Sequence, residues 1–218
     1  MLIISQLKVR VILACCFWIL CFRKNNMKSI EELNLVKDEL INLYSKAQKI
    51  KTIVTDVDGV LTDASLYIDA LGNEPFGRFS IYDGVGVKLL GVAGIRLIVI
   101  SARDSMCTKE RCRLLGIEHV FTGVVNKALL LSQLVAKYEL QWDEVAYIGD
   151  DYVDISAMLL VGLKMAPCTA LPRVKDLADY VTKTSSGQGV LREVCELILF
   201  FQDKLEEVVE SVYLKAQG

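Results

Sequence analysis

Short apolar runs alternate with amphipathic stretches from residue 51 onward. Most runs are continuous rather than polar at every second position, which is typical of strands buried on both faces of a sheet. The predicted strands are Lys51–Thr55, Arg96–Ile100, His119–Thr122, Glu144–Ile148, Gly162–Ala166 and Tyr180–Thr182. Helical patterns separate most of them, around 84–94, 104–115, 127–138, 151–160 and 172–178. This alternation predicts a three-layer α/β fold with a doubly wound (Rossmann-like) parallel sheet.

Helical patterns also flank this region on both sides. Residues 27–49 carry apolar side chains at helical spacing, which predicts an amphipathic helix that leads into the main domain at 50–200. A last helix is predicted from about Val190 to past Leu205, with residues 201–218 as a helical tail.

One stretch interrupts the alternation. Residues 64–81 hold two short β-like runs around a Gly-Asn turn, which predict a small β-hairpin flap. The interval from Asp58 to Ser101 has room for this hairpin and one helix, and the interval from Ser101 to Lys127 for one helix and one strand. Neither interval can hold a separate cap domain.

The N-terminus has a different character. Lys8 and Arg10 precede an apolar run over Val11–Phe22, as in the core of a signal peptide. Twelve apolar residues are too few to span a bilayer, and no Ala-x-Ala-like cleavage site follows. We interpret residues 1–26 as a nonessential extension, or the product of an upstream start, before Met27. A membrane-associating segment is the alternative.

The composition argues against some classes of function. Apolar residues make up 53% of the chain, the net charge is −2, and no basic block is visible, which argues against nucleic acid as a partner. The seven cysteines form no Cys-x-x-Cys pair, which favours a reduced, cytoplasmic protein. No membrane partner is expected outside residues 1–26.

Polar side chains follow four predicted strands at the point where each strand ends. They are Asp56 and Asp58, then Ser101, then Lys127, and finally Asp150, Asp151 and Asp154. The carboxyl ends of strands in an open parallel sheet face one crevice, where ligands bind. We therefore expect two acidic clusters, a hydroxyl and an amine to lie together.

The segment after the first strand carries the strongest signal. Asp56 is ionised at neutral pH and can attack phosphorus without a base to activate it. Asp58, two residues later, can protonate the leaving oxygen and then accept a proton from water. Turns with capping aspartates are the ordinary explanation of such a segment. The second acidic cluster, ninety-odd residues later, argues against that explanation.

A divalent cation accounts for the second cluster. An anionic nucleophile and a phosphate repel each other, and Mg²⁺ bound by oxygen ligands removes this obstacle. Asp56 and Asp150 are the predicted direct ligands, and Asp154 could hold a metal-bound water. Asp151 is the candidate for a plain helix cap. Ser101 could donate to a phosphoryl oxygen, and Lys127 could neutralise charge on the phosphate and on Asp56.

These residues, in this order, resemble the haloacid dehalogenase superfamily of phosphatases over roughly residues 50–200. The resemblance implies that Asp56 is the nucleophile and Asp58 the acid/base. It also implies that Asp56, the Asp58 backbone carbonyl and Asp150 hold Mg²⁺, with Asp151 and Asp154 behind them.

Longer strings are similar to one subfamily, the 3-deoxy-D-manno-octulosonate 8-phosphate phosphatases. The matching strings are Thr55–Asp63, Asp83–Lys88, Tyr147–Asp151 and Gly187–Cys195. This subfamily more often has Thr-Gly-Arg where the chain has Ser101-Ala102-Arg103.

The resemblance implies a homotetramer with the 64–81 hairpins at its centre, so that a neighbouring subunit closes the capless site. Arg103 and Arg111 are then candidates for holding a substrate carboxylate, because arginine suits bidentate recognition. Exposed helix charges are the ordinary alternative. Asp83 and Gly84 are further candidates for the substrate site.

The leading hypothesis is Mg²⁺-dependent hydrolysis of 3-deoxy-D-manno-octulosonate 8-phosphate in the cytoplasm, which supplies lipopolysaccharide synthesis. A phosphatase of a nine-carbon sialic-acid-type 9-phosphate is the rival. The resembling nine-carbon enzymes tend to have an acidic residue at the position of Arg103, which favours the eight-carbon sugar. A phosphoacceptor receiver domain and a noncatalytic oligomerisation module are alternatives of other classes.

Overall fold

The computed structural model describes residues 30–214, with side chains from residue 38 onward. Six parallel strands form one sheet in the order β3-β2-β1-β4-β5-β6. They are β1 (Thr52–Thr55), β2 (Arg96–Ile100), β3 (His119–Phe121), β4 (Val145–Ile148), β5 (Leu163–Ala166) and β6 (Tyr180–Val181). The predicted parallel α/β fold is confirmed, and each strand end lies within one residue of its predicted position.

Eight α-helices are described. They are α1 (Ile30–Ala47), α2 (Ile81–Ala93), α3 (Met106–Leu114), α4 (Lys127–Lys137), α5 (Tyr152–Met158), α6 (Pro172–Leu177), α7 (Val190–Phe201) and α8 (Leu205–Val209). A 3₁₀ turn covers Trp142–Glu144, and a π-helical turn covers Glu210–Leu214. The chain divides into two compact units between Ser45 and Lys46, and the sheet belongs to the second. Among the described helices, none combines the length and the apolar character needed to cross a bilayer. The segment 1–26 lies outside the described residues.

The strand order places a topological switch point between β1 and β4. The chain runs from β1 outward through β2 and β3, then returns to place β4 on the other side of β1. Every residue of β1 and β4 is buried, as their continuous apolar character predicts. Connections leave the two strands in opposite directions here, so a crevice opens beyond their carboxyl ends.

The last predicted helix is interrupted. Helix α7 ends at Phe201, and Asp203 adopts a left-handed conformation with φ of 57°. The Lys204 N–H donates to the Leu199 carbonyl, which is the closing bond of a Schellman motif. The Gln202 side-chain amide donates to the Ala47 and Ile50 carbonyls at 3.0 and 2.8 Å. This tertiary contact favours ending the helix where the apolar periodicity would continue it.

The predicted hairpin at 64–81 is present as a turn without paired strands. The Asp69 N–H donates to the Asn73 carbonyl at 2.9 Å, so the chain does reverse direction there. However, Asp69 Oδ1 accepts from the Leu71 and Asn73 N–H groups, each at 2.8 Å. The side chain therefore takes the Asn73 N–H, which a ladder would pair with the Asp69 carbonyl, and a two-stranded hairpin is only marginally stable alone.

Helices α2 and α7 pack closely against each other. A Cβ at Gly86 would lie 3.1 Å from the Arg192 Cα and 3.2 Å from the Cys195 Sγ, so the contact depends on the missing side chain. Gly91, on the same helix, has open space around it.

We expect Gly86→Leu to lower the free energy of unfolding by about 2 kcal/mol, because overpacking a tight contact costs about 1–3 kcal/mol. The matched change Gly91→Leu should raise it by about 0.5–1 kcal/mol, because leucine favours a helix more than glycine. Urea unfolding of both variants measures the difference. Equal effects at the two positions would contradict this account of the α2–α7 contact.

Candidate active site

Asp56 lies where β1 ends, at the switch point. Its N–H donates to the Ile148 carbonyl at 2.9 Å, which continues the β1–β4 ladder and fixes the backbone. Its Oδ1 accepts from the Val57 N–H at 2.6 Å, and its Oδ2 lies 2.8 Å from the Lys127 Nζ. The predicted nucleophile is therefore held in one orientation by a backbone amide and a buried cation.

Lys127 bridges two carboxylates. It is the first residue of α4, which Asn126 caps by accepting from the Leu129 N–H. Its Nζ lies 2.8 Å from Asp56 Oδ2 and 2.7 Å from Asp154 Oδ1, and its side chain is almost fully buried. Burial lowers the pKa of Lys127, but Asp56 and Asp154 outweigh burial and the pKa lies above its ordinary value. The amine therefore stays charged.

Asp154 is fully buried and accepts hydrogen bonds from four groups. Its Oδ1 accepts from the Lys127 Nζ and the Tyr147 hydroxyl at 2.7 and 2.8 Å. Its Oδ2 accepts from the Asp150 and Asp151 N–H groups at 3.0 and 3.3 Å. These four bonds match the acceptor capacity of a carboxylate. Asp154 thus orients the groups around it, and Asp151 caps α5 as predicted.

Asp150 completes the acidic cluster. One oxygen each from Asp56, Asp150 and Asp154 lie within 4.8 Å of one another. Burial, with the charges of Asp154 and Asp56, raises the pKa of Asp150 to about 8. Burial and the Asp154 charge raise the pKa of Asp56 to about 7, although Lys127 acts against them. Both carboxylates therefore lack sufficient positive charge around them.

The geometry fits a metal ion. Asp150 Oδ1 is buried, and no described residue gives it a hydrogen-bond partner. Hard cations such as Mg²⁺ bind carboxylate oxygens, and one here would supply the missing charge. Gly59 permits the close approach, because a Cβ there would lie 1.9 Å from Asp150 Oδ2 and its φ is +84°. Asp56 and Asp150 could thus share one ion.

Asp58 points to a different neighbour. Its Oδ1 pairs with Arg103 Nη1 at 2.8 Å, and Arg103 Nη2 pairs with Glu74 Oε2 at 2.8 Å. Ser101 is buried, and its Oγ accepts from the backbone N–H of Arg103 at 3.1 Å. The structure therefore brings together the predicted acid/base, the predicted hydroxyl and Arg103.

The remaining substrate candidates lie between α2, α3 and α7. Asp83 is buried, and its Oδ1 accepts from the Arg192 N–H at 3.1 Å in the first turn of α7. Burial raises the pKa of Asp83 to about 6. Arg111 donates to the Ser80 carbonyl at 2.8 Å, and a Cβ at Gly84 would lie 3.0 Å from Leu115. These contacts join helices, so the structure gives Asp83 a capping role.

Sequence reasoning missed several contributors. Tyr147, predicted only as a strand residue and as part of a matching string, anchors Asp154, and Glu74 shares Arg103 with Asp58. The Ser186 hydroxyl donates to the Gly59 carbonyl, and the Gly187 N–H donates to the Val60 carbonyl at 3.0 Å. The only signal for the segment around Gly187 was its similarity to a family. No local sequence pattern indicates that this segment binds the backbone that follows β1.

Comparisons with known proteins identify the family of the chain. The profile of the haloacid dehalogenase-like hydrolases matches residues 116–194. A 3-deoxy-D-manno-octulosonate 8-phosphate phosphatase of Escherichia coli strain K12 is 38% identical over 166 residues, which cover 76% of this chain and 88% of that protein.

Two solved structures are similar throughout the domain. A hydrolase of the HAD superfamily, subfamily III A, from Legionella pneumophila has a TM-score of 0.78 and 41% identity, covering 83% of this chain and 98% of that one. The 3-deoxy-D-manno-octulosonate 8-phosphate phosphatase of Moraxella catarrhalis, in complex with a magnesium ion, a phosphate ion and KDO, has a TM-score of 0.74 and 34% identity. That match covers 78% of this chain and 97% of that one. The chain therefore belongs to the haloacid dehalogenase-like family of hydrolases and is one of its phosphatases.

Proposed function

We propose that this phosphatase hydrolyses 3-deoxy-D-manno-octulosonate 8-phosphate to the free sugar acid and phosphate. The observation that carries the proposal is the buried cluster in which Asp56 and Asp150 approach each other beside Lys127. The Escherichia coli relative supports the choice of substrate, as does the Moraxella catarrhalis protein that holds magnesium, phosphate and KDO.

The first half of the reaction phosphorylates Asp56. A carboxylate oxygen of Asp56 forms a bond to phosphorus while the bond from phosphorus to the sugar oxygen breaks. Asp58 gives its proton to that departing oxygen. Lys127 stays charged beside Asp56 and offsets the negative charge that gathers as the bond forms.

The second half releases phosphate. A water oxygen bonds to phosphorus, its proton passes to Asp58, and the bond from Asp56 to phosphorus breaks. Asp58 is then protonated again for the next turnover. Ser101, buried at the end of β2, is our candidate donor to a phosphoryl oxygen.

Mg²⁺ is the proposed cofactor, held by Asp56, Asp150 and the backbone carbonyl of Asp58. When bound, it draws negative charge from the carboxylates and the phosphate, which lowers their mutual repulsion. Asp151 and Asp154 support this site from behind, because Asp154 holds the Asp150 and Asp151 N–H groups in place.

Arg103 is the proposed carboxylate contact of the substrate, since it lies beside Asp58 and is partly exposed. Arg111 is a second candidate for this contact, and Asp83 and Gly84 are candidates for other parts of the substrate site. We further propose a cytoplasmic enzyme that supplies lipopolysaccharide synthesis. A homotetramer would close the open site, with the 64–81 segments at its centre.

Asp56→Asn should lower phosphate release by about 10³-fold or more, because the amide cannot form the covalent intermediate. Phosphate release is measured with Mg²⁺ on a panel that includes the eight-carbon substrate and a nine-carbon sialic-acid-type 9-phosphate. Equal release by the wild type and Asp56→Asn would contradict the mechanism. Faster turnover of the nine-carbon sugar would contradict the proposed substrate.

The raised pKa values predict that stability without metal falls as the pH rises. Folded Asp56 and Asp150 keep protons up to about pH 7 and 8, whereas the ordinary pKa of an aspartate is 3.8. The stability that these two carboxyl groups contribute is therefore fully present below the pKa they have in the unfolded chain. It is lost as the pH rises through the pKa values they have in the folded protein. The melting temperature of EDTA-treated protein should fall as the pH rises from about 4 to about 8 and should level off above that range.

Mg²⁺ should offset this loss of stability, because its positive charge replaces the protons that reduce the repulsion between the carboxylates. At a concentration of about one hundred times its Kd, Mg²⁺ should raise the free energy of unfolding by about 2.7 kcal/mol. In a domain of this size, this raises the melting temperature by about 5–10 °C. Thermal unfolding with Mg²⁺ or EDTA at each pH gives the difference, and Asp150→Asn is the control that should reduce it. A larger gain from Mg²⁺ at low pH than at high pH would contradict this prediction.

The tetramer is tested at its proposed centre. Apolar side chains on the 64–81 segment are exposed, and Leu71 is 86% exposed. We expect sedimentation to show a tetramer for the wild type and smaller species for Leu71→Lys, because burying a charge in a contact is costly. The control Val92→Lys, on the exposed face of α2, should leave the tetramer intact. A monomeric wild type would contradict the proposal.

A further inference from the structure

Arg103 divides its guanidinium between two carboxylates. Nη1 lies 2.8 Å from Asp58 Oδ1, and Nη2 lies 2.8 Å from Glu74 Oε2. The three side chains are partly open to solvent, at 38% for Arg103, 31% for Asp58 and 25% for Glu74. A molecule that enters the crevice can therefore reach this cluster. Its charge is −1 when both carboxylates are ionised.

A substrate carboxylate that approaches Arg103 meets an obstacle. Both terminal nitrogens of the guanidinium already have an acidic partner, and the Glu74 carboxylate repels an anion that approaches it. Bidentate binding of a carboxylate needs two donors of one guanidinium. Each bidentate mode uses at least one terminal nitrogen, so the incoming carboxylate would lie beside the carboxylate that this nitrogen already binds. Because the two negative charges repel each other there, we expect one of the present partners to leave when the substrate binds.

The structure indicates which partner leaves. Asp58 is two residues from Asp56, and the carbonyl groups of Gly59 and Val60 accept from Ser186 and Gly187, which ties down its segment. Glu74 lies on the segment between β1 and α2, where the structure has no strand or helix. Each side chain gives up one ion pair with Arg103 when it leaves, but the segment that carries Glu74 is less restrained than the segment that carries Asp58.

We propose that Glu74 is a specificity-determining residue, whose carboxylate occupies the part of Arg103 that receives a substrate carboxylate and leaves when that substrate binds. The inference rests on the proposed function, because it requires a substrate with both a phosphate and a carboxylate. A phosphate ester without a carboxylate cannot take the place of Glu74 and gains nothing from Arg103. Glu74 thus reduces the advantage that Arg103 gives to substrates with a carboxylate, and it does so by competition rather than by direct contact with the substrate.

A structural tether is the competing explanation. The Cys107 Sγ lies 3.9 Å from the Glu74 carbonyl, and the Glu74–Arg103 pair connects the 64–80 segment to the loop after β2. Loss of a tether would change the kinetics of all phosphate esters alike. Competition would change the kinetics only of phosphate esters that carry a carboxylate. Measuring one substrate with a carboxylate and one without it therefore distinguishes the two explanations.

The experiment measures KM and kcat of Glu74→Gln, with Mg²⁺, for 3-deoxy-D-manno-octulosonate 8-phosphate and for p-nitrophenyl phosphate. Glutamine keeps the size of the side chain and removes its charge. We expect the KM of the sugar acid phosphate to fall about two- to fivefold, since partly exposed ion pairs are weak. The KM of p-nitrophenyl phosphate should change much less. A matching melting temperature shows that the variant is folded.

Two controls isolate the cause. Glu110→Gln removes the same charge from α3, where Glu110 pairs with Arg113 at 2.7 Å, and should leave the ratio of the two KM values unchanged. In an Arg103→Gln background, Glu74→Gln should no longer change that ratio, because the competition needs Arg103. Persistence of the selective effect without Arg103 would overturn the inference.

The remaining outcomes are equally decisive. An unchanged ratio of KM values in Glu74→Gln, or a rise in the KM of the sugar acid phosphate, overturns the role of Glu74 while leaving the proposed function intact. If the wild type hydrolyses p-nitrophenyl phosphate but not the sugar acid phosphate, the proposed substrate fails and this inference fails with it. That result is visible in the wild type before any variant is made.

Discussion

Like charges held together out of water are the constraint on which this site depends. Asp56, Asp150 and Asp154 approach one another beside a single buried amine, that of Lys127. Coulomb repulsion is strong where solvent is excluded, so the cluster needs protons or a cation to remain compact. The raised pKa values of Asp56 and Asp150 express that need. The same deficit of positive charge makes the cluster suitable for a metal ion and a phosphate.

The fold supplies the rigidity that keeps these charges in place. Asp56 continues the hydrogen-bonded ladder between β1 and β4, and Asp154 is fixed from three directions by Lys127, Tyr147 and the backbone that begins α5. Gly59 leaves the space that Asp150 occupies. Without such restraints, the carboxylates would move apart into water, because separation lowers their repulsion.

Much of this arrangement was predictable because it follows from local patterns. Continuous apolar runs identified β1 and β4, and the acidic residues after them had to meet once the sheet was parallel. Predictions failed where a particular side-chain hydrogen bond decided the outcome. The Gln202 side chain favours the end of α7 by donating to the Ala47 and Ile50 carbonyls. The Asp69 side chain accepts from the Asn73 N–H, which a hairpin ladder needs. Neither effect leaves a periodic trace in the chain.

The order of residues alone was sufficient for the parallel sheet and for the meeting of Asp56, Lys127 and Asp150, because burial and strand direction follow from periodicity. Pairings across long stretches of chain were decided only by packing. Asp83 became a cap of α7, Tyr147 an anchor of Asp154, and Arg103 a shared partner of Asp58 and Glu74. A side chain binds whichever group the fold brings within reach, and that distance is a property of the packed elements.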